Sequence, residues 1–216
     1  MLKSDKNKKI KYLGKGFSSH PQYMNFGIFD DYIDAHKGAF QGVKSKDDNF
    51  RKQGFKLENV FGPPVSISML YPAIGKENQE FMKNYRKLAC IEVAIRDEAV
   101  GELYLDNKGK FTIKKDLTAQ DKKRRDKGLE AVENIFSSLG AKKIIKSPYY
   151  FGLHLMGGCH IGINPNKSVI NEKFQVHEYP NVYICDSSIF PSAPGINPAL
   201  TIMTLAQKLS EELIKS

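Results

Sequence analysis

Residues 117–139 carry the pattern that most constrains the fold. Thr118 stands where a helix needs an N-cap, and Asp121 follows three residues on, the spacing of a weak capping box. Leu129, Val132, Ile135 or Phe136, and Leu139 share one helical stripe, and Gly140 stops the run. The chain before this helix reads mainly as strands. Residues 55–61 and 65–71 are two of them, with Gly62-Pro63-Pro64 as the corner between. Residues 90–95, 100–105 and 111–114 follow as a three-strand meander whose last turn is Asn107-Lys108-Gly109. Acidic neighbours (Glu92, Glu102, Asp106) beside Val93, Leu103 and Leu105 predict a sheet with one wet face. A short helix over 78–88 places Phe81, Tyr85 and Leu88 at i, i+4 and i+7. The first fifty residues show little periodicity. The expected class is α+β, an antiparallel sheet backed by helices.

The chain does not need cross-links to hold such a core. With 216 residues and 24.4 kDa, it can bury roughly 70% of its unfolded surface. Its cysteines (Cys90, Cys159, Cys185) are three, widely spaced and without a CxxC, which points to a reducing compartment, the cytoplasm. No apolar run reaches the length of a membrane span. The start, MLKSDKNKKIKYLGKG, is charged but has no apolar core behind it, so it is not a signal peptide. Lys plus Arg number 33 and Asp plus Glu 24, a net charge of +9. That excess permits a nucleic-acid partner without requiring one. The run Lys122-Lys123-Arg124-Arg125 reads as a solvated helix face, and aromatics are not interleaved with it as single-strand binding would need.

The character changes after Lys143. Residues 144–145 read as a short strand, 152–162 as a glycine-rich loop, and 182–185 as a buried, parallel-type strand. Asp186-Ser187-Ser188 and a Pro/Gly-rich loop follow. A last helix runs from Pro198 to about Lys215, with Asn197 as its N-cap and Ile202, Leu205, Leu209 and Leu213 as its buried stripe. Two polar residues stand out, each in a loop with glycine and apolar neighbours that let backbone approach a ligand: His154 and Asn197. Other chemistry is weaker. His154, Cys159 and His160 lack a fourth metal ligand at conventional spacing, so no metal site is expected. Cys159 with a histidine base could form a nucleophile pair, but no carboxylate neighbours it. The bland readings are a satisfied structural histidine and an asparagine that only caps a helix.

Several of these segments occur together in one known order. His154 precedes Cys159 by five residues in a glycine-rich loop. Ser168-Val169-Ile170-Asn171 comes next, then Pro180-Asn181-Val182-Tyr183-Ile184-Cys185-Asp186, then Phe190-Pro191, then Gly195-Ile196-Asn197-Pro198-Ala199-Leu200-Thr201-Ile202. This series resembles the C-terminal part of the glucose-methanol-choline (GMC) oxidoreductases, which are FAD-dependent alcohol dehydrogenases and oxidases. Residues 1–145 then resemble the family's substrate domain, His20-Pro21 included, and 146–216 the segment that completes the FAD and active site. The resemblance implies His154 and Asn197 as the catalytic pair. It implies cofactor contacts from Asp186, Ser187, Gly195, Ile196 and Pro198. Ser187 stands where glycine is common, and His160 differs from the usual residue after the cysteine. Tyr71, Phe81, Tyr149 and Tyr150 are candidates for lining a substrate pocket.

The implied chemistry is oxidation of a CH–OH group of a small alcohol, sugar or polyol. A neutral imidazole can take the hydroxyl proton. A carboxamide can hold the oxygen and orient the C–H toward the flavin. The positive end of the last helix favours the charge a flavin gains on reduction. The family's strand, G-x-G-x-x-G and helix are not recognisable here, since Gly14-Lys15-Gly16-Phe17-Ser18-Ser19 lacks the third glycine and His20-Pro21 follows. The expectation is an incomplete chain that is inactive alone and needs an absent N-terminal half for tight FAD binding. Its partners would be that half or an electron-acceptor subunit. It should expose an apolar patch around 182–185 and 198–215. The alternatives are a non-catalytic fragment or subunit of a split GMC enzyme and, third, a basic nucleic-acid-binding module.

Overall fold

The longest strand falls where the sequence shows no alternation. In the computed structural model, which describes residues 1–5 and 9–215, β1 is Lys15–Ile28 and is buried along almost its whole length. A strand covered on both faces has no wet side to alternate with. Ser18, Ser19, His20, Gln22 and Asn25 are all buried within it, so composition also disguised it. Pro21 stands at a change of partner: Lys15 and Phe17 pair with one strand, and Gln22 to Ile28 with another. A residue without an N–H is tolerated where a ladder is interrupted.

The remaining strands are β2 (Phe55–Asn59), β3 (Leu88–Ile95), β4 (Gly101–Leu105), β5 (Phe111–Lys114), β6 (Lys143–Ile145), β7 (Phe151–Met156), β8 (Gln175–Val176) and β9 (Tyr179–Tyr183). The α-helices are α1 (Asp48–Gln53), α2 (Pro64–Leu70), α3 (Lys76–Lys83), α4 (Ala119–Ser138) and α5 (Ala199–Lys215). They form two compact units interleaved along the chain: residues 21–96 with 119–152, and residues 1–20 with 97–118 and 153–216.

In the first unit, β2, β3, the later part of β1 and β6 lie antiparallel in that order. α4 covers one face. Val132 and Phe136 are buried, and Gly128 lies so close to the sheet that a Cβ there would collide with Val93. The other face packs Met24, Phe26 and Cys90 against Ile67 of α2 and Phe81 of α3. Phe81 is thus a core residue, and Tyr71 stacks on it with ring centroids 4.1 Å apart.

Four sequence expectations are corrected in this region. Residues 65–70 belong to helix α2 and not to a strand, and Tyr71 follows it in extended conformation. Pro64 in the first turn presets φ and has no N–H to leave unpaired, and Ile67 alone is buried while Val65 and Met69 are exposed. The meander does not form, because β3 pairs with β1 and β2, leaving β4 with β5 and the start of β1. The basic run on α4 is not uniformly solvated: Arg124 is largely buried, pairs with Asp121 at 3.1 Å and donates to the Arg96 carbonyl at 2.7 Å. Leu139 lies beyond the end of α4 and is exposed.

The second unit is built on shorter pieces. β4 and β5 form a hairpin closed by Asp106, whose carboxylate accepts from the N–H groups of Lys108 and Lys110. Its core gathers Ile10, Met156, Ile170, Phe174, Ile189 and Phe190. Ile202, Leu205 and Leu209 of α5 pack against that core, yet no residue of α5 is fully buried. Of the residues expected as a parallel-type strand, 182–185, the first two end β9, which is antiparallel to β8 and largely exposed, and Ile184 and Cys185 follow it half-buried and outside any strand. The apolar residues of β9 form an edge ribbon and not a buried strand. Among the described residues, no helix is long and apolar enough to cross a membrane.

Candidate functional site

His154 sits in β7 with φ at 54°, the left-handed region, followed by Gly157 and Gly158 at φ 81° and 95°. A non-glycine residue held there is a local cost that marks positions worth attention. Glycine is required at 157, since a Cβ would strike the Gly16 carbonyl. The backbone after His154 pairs with the turn that follows β9. Gly157 N–H donates to Ser187 O at 3.1 Å, Cys159 N–H to Ser188 O at 2.9 Å, and Ile161 N–H to Ile189 O at 3.1 Å. Ser187 Oγ donates to the Leu155 carbonyl at 2.7 Å. Asp186 shapes the same turn by accepting from Ser188 N–H at 2.7 Å. The structure therefore brings Asp186 and Ser187 onto the segment that carries His154.

A second contact ties His154 to a residue that the motif reading used only as a family marker. His20 is 1% exposed, and its Nδ1 lies 3.1 Å from Nδ1 of His154. The rings meet edge to face at 76° with centroids 5.2 Å apart. The Gly195 N–H donates to Nε2 of His20 at 3.1 Å. Three distant segments, around 20, 154 and 195, thus converge on one imidazole pair. The backbone entering His20 is itself clamped: Ser19 N–H donates to both oxygens of Asp97, which is buried and bridges to Lys115 at 2.9 Å. The only sequence signal for His20 was the His-Pro dipeptide, and nothing in the spacing linked it to His154.

Asn197 is exposed two residues beyond Gly195, Ile196 is also exposed, and Pro198 is buried. The Pro198 carbonyl accepts from Ile202 N–H at 3.0 Å, and α5 begins at Ala199. Asn197 therefore lies two residues before the first residue of α5.

His160 and Cys159 have different surroundings. His160 is buried, donates from Nε2 to the Gly16 carbonyl at 3.1 Å, and is pushed by burial toward the neutral form. Burial first, and then the Asp186 charge, push the Cys159 thiol up, the wrong direction for a nucleophile. Among the described residues, no three His, Cys, Asp or Glu side chains gather to hold a metal ion. Beside Gly157 and Gly158, an apolar groove of about 430 Å³ is lined by Leu13, Gly14, Leu103 and Leu105.

Comparison with known proteins bears on the same segments. A family model described as GMC oxidoreductase matches residues 97–206. The long-chain-alcohol oxidase FAO4B of Arabidopsis thaliana is 26% identical over 244 residues, covering 94% of this chain and 33% of its own length. The cholesterol oxidase of Acinetobacter baumannii is 40% identical over 58 residues, 27% of this chain and 10% of its own. The crystal structure of pyridoxine 4-oxidase from Mesorbium loti superposes with a TM-score of 0.67 at 12% identity, covering 96% of this chain and 44% of the solved one. At that identity the likeness shows the fold, a mixed α+β arrangement with an antiparallel sheet backed by helices. The chain spans about a third of the length of the long-chain-alcohol oxidases it matches. With half of its residues inside the matched span, His154, Asp186 and Asn197 among them, the chain belongs to the GMC oxidoreductase family.

Proposed function

We propose that this chain is the substrate-facing and catalytic part of an FAD-dependent oxidoreductase that acts on the CH–OH group of a small-molecule alcohol. In this reading residues 1–145 bind substrate and residues 146–216 complete the flavin site. His154 handles the hydroxyl proton and Asn197 holds the alcohol oxygen. The observation that carries the reading is the convergence of His20, His154 and the Gly195 backbone, two residues from an exposed Asn197. Relatives named as alcohol oxidases support the substrate class.

The residues present fit a flavin. The start of α5 is apolar and open, with Leu200 73% and Met203 61% exposed, a surface suited to a flat aromatic ring. The first N–H groups of a 17-residue helix stand at that end, and its partial positive charge favours an anionic ring edge. Ile196 and Pro198 would lie against the ring, with Asp186, Ser187 and Gly195 nearby. The Gly195 N–H is already engaged by His20, so Gly195 would contribute its shape and not that donor. When bound, FAD supplies the hydride acceptor. Tight binding calls for a G-x-G-x-x-G nucleotide-binding half, which these 216 residues do not contain. That half, or an electron-acceptor subunit, is the proposed partner. The cysteines, all free thiols, support a cytoplasmic setting.

The test is His154→Ala in the FAD-loaded enzyme completed with a GMC nucleotide-binding half. Losing a general acid–base group should lower kcat by roughly 10²- to 10⁴-fold, with little change in flavin absorbance. An unchanged turnover rate would remove His154 from the chemistry.

A further inference from the structure

The contacts around His20 determine more than position. A backbone N–H can only donate, so the Gly195 amide requires a lone pair on Nε2 of His20. Neutral His20 then carries its proton on Nδ1, and that N–H faces Nδ1 of His154 at 3.1 Å. Nδ1 of His154 must accept. Neutral His154 consequently carries its own proton on Nε2. The opposite arrangement, with the His154 proton on Nδ1, would force His20 to place a proton against the Gly195 N–H, two donors face to face.

We infer that His20, locked by the Gly195 amide, is a positioning residue that holds His154 in its Nε2–H tautomer. In that tautomer Nε2 of His154 carries a proton and no lone pair, so His154 can act as a base there only after the His20 contact is rearranged. The inference rests on the role proposed for His154 above. The conversion needs no net proton uptake. The His20 Nδ1 proton crosses to Nδ1 of His154, the His154 Nε2 proton leaves to solvent, and His20 takes one proton from solvent on Nε2. Two features oppose accidental conversion. Asp97 and Lys115 clamp the backbone at Ser19, and burial of His20 limits exchange with water.

The experiment is long-range ¹H–¹⁵N correlation on the ¹⁵N-labelled full chain without FAD, at a pH where both imidazoles are neutral. The expected spectrum shows His154 protonated on Nε2 and His20 on Nδ1. His20→Phe removes the donor and should leave His154 averaging between tautomers. His20→Asn, whose amide N–H can replace the Nδ1–H, should restore the Nε2–H form. His154 protonated on Nδ1 in the unaltered chain overturns the inference, as does an unchanged His154 spectrum in His20→Phe. If His20→Phe does not fold, His20→Asn decides: loss of the Nε2–H form there overturns it too. These readings do not depend on turnover. An active His154→Ala enzyme would end the catalytic role and leave the tautomer standing, and a wrong tautomer would do the reverse.

Discussion

α4 and α5 look alike in sequence, and the structure uses them differently. Both carry an apolar stripe at helical spacing. α4 lays its stripe on the sheet, burying Val132 and Phe136 along with Gly128 and even Asp121. α5, 17 residues long, buries none of its residues completely and leaves Leu200, Met203 and Ile214 open. A stripe therefore tells which face of a helix is apolar and not whether the chain itself covers it. α4 holds the fold, whereas the open start of α5 lies next to Asn197, where the proposed chemistry needs a surface. The comparison can be broken at either helix.

The largest expected effect is on the covered side. Phe136 is 1% exposed and meets the Phe29 ring at 6.1 Å, edge to face. Phe136→Ala should destabilise the chain by roughly 3–5 kcal/mol through lost transfer energy and an unfilled cavity. Denaturant unfolding of the full chain measures it. A loss below about 1 kcal/mol would mean that α4 is no better seated than α5.

Next in size is an effect within the sheet that α4 covers. Glu92 on β3 is 1% exposed, and neither of its carboxylate oxygens has a hydrogen-bond partner among the described residues. It faces Glu58 directly across the ladder, and Glu58 pairs with Lys56 at 2.8 Å. Burial, and then the Glu58 charge, raise Glu92 from an ordinary 4.5 to about 7, with Lys56 pulling the other way. A folded-state pKa above the unfolded one means that the charged form is penalised on folding. The penalty is absent below the unfolded value, grows as the pH rises toward about 7, and is complete above it. The gap corresponds to about 3 kcal/mol. Glu92→Gln should therefore stabilise the chain by up to that amount at mildly alkaline pH and by almost nothing in acid. A pH-independent gain would point to packing and not to charge.

The residues explain what was and was not legible. α4 and its stop at Gly140 could be read because capping and a 3.6-residue period are local. β1 could not, because a strand covered on both faces loses its alternation, and its buried Ser18, Ser19, His20, Gln22 and Asn25 resemble a loop. Residues 65–71 misled because Val65-Ser66-Ile67-Ser68-Met69 alternates like a strand, while Pro64 starts a helix. At the candidate site, His154 and Asn197 were visible through motif order. His20 was not visible as their neighbour, because its link to His154 spans 134 residues and is made by folding alone.

The smallest expected effect tests the open side. Leu200, in the first turn of α5, is 73% exposed. Leu200→Ser removes apolar surface that already meets water, so the stability of the full chain should change by less than about 0.5 kcal/mol. Ser is also compatible with a helix N-terminus, so the backbone gives little reason for a larger effect. The same variant in the completed enzyme should weaken FAD retention, read as flavin lost on dilution, because the proposed site uses that surface. If Leu200→Ser instead costs the isolated chain more than about 1 kcal/mol, Leu200 is covered in solution. The contrast between a helix that holds the fold and a helix that waits for a ligand would then fail at the point where the two differ most.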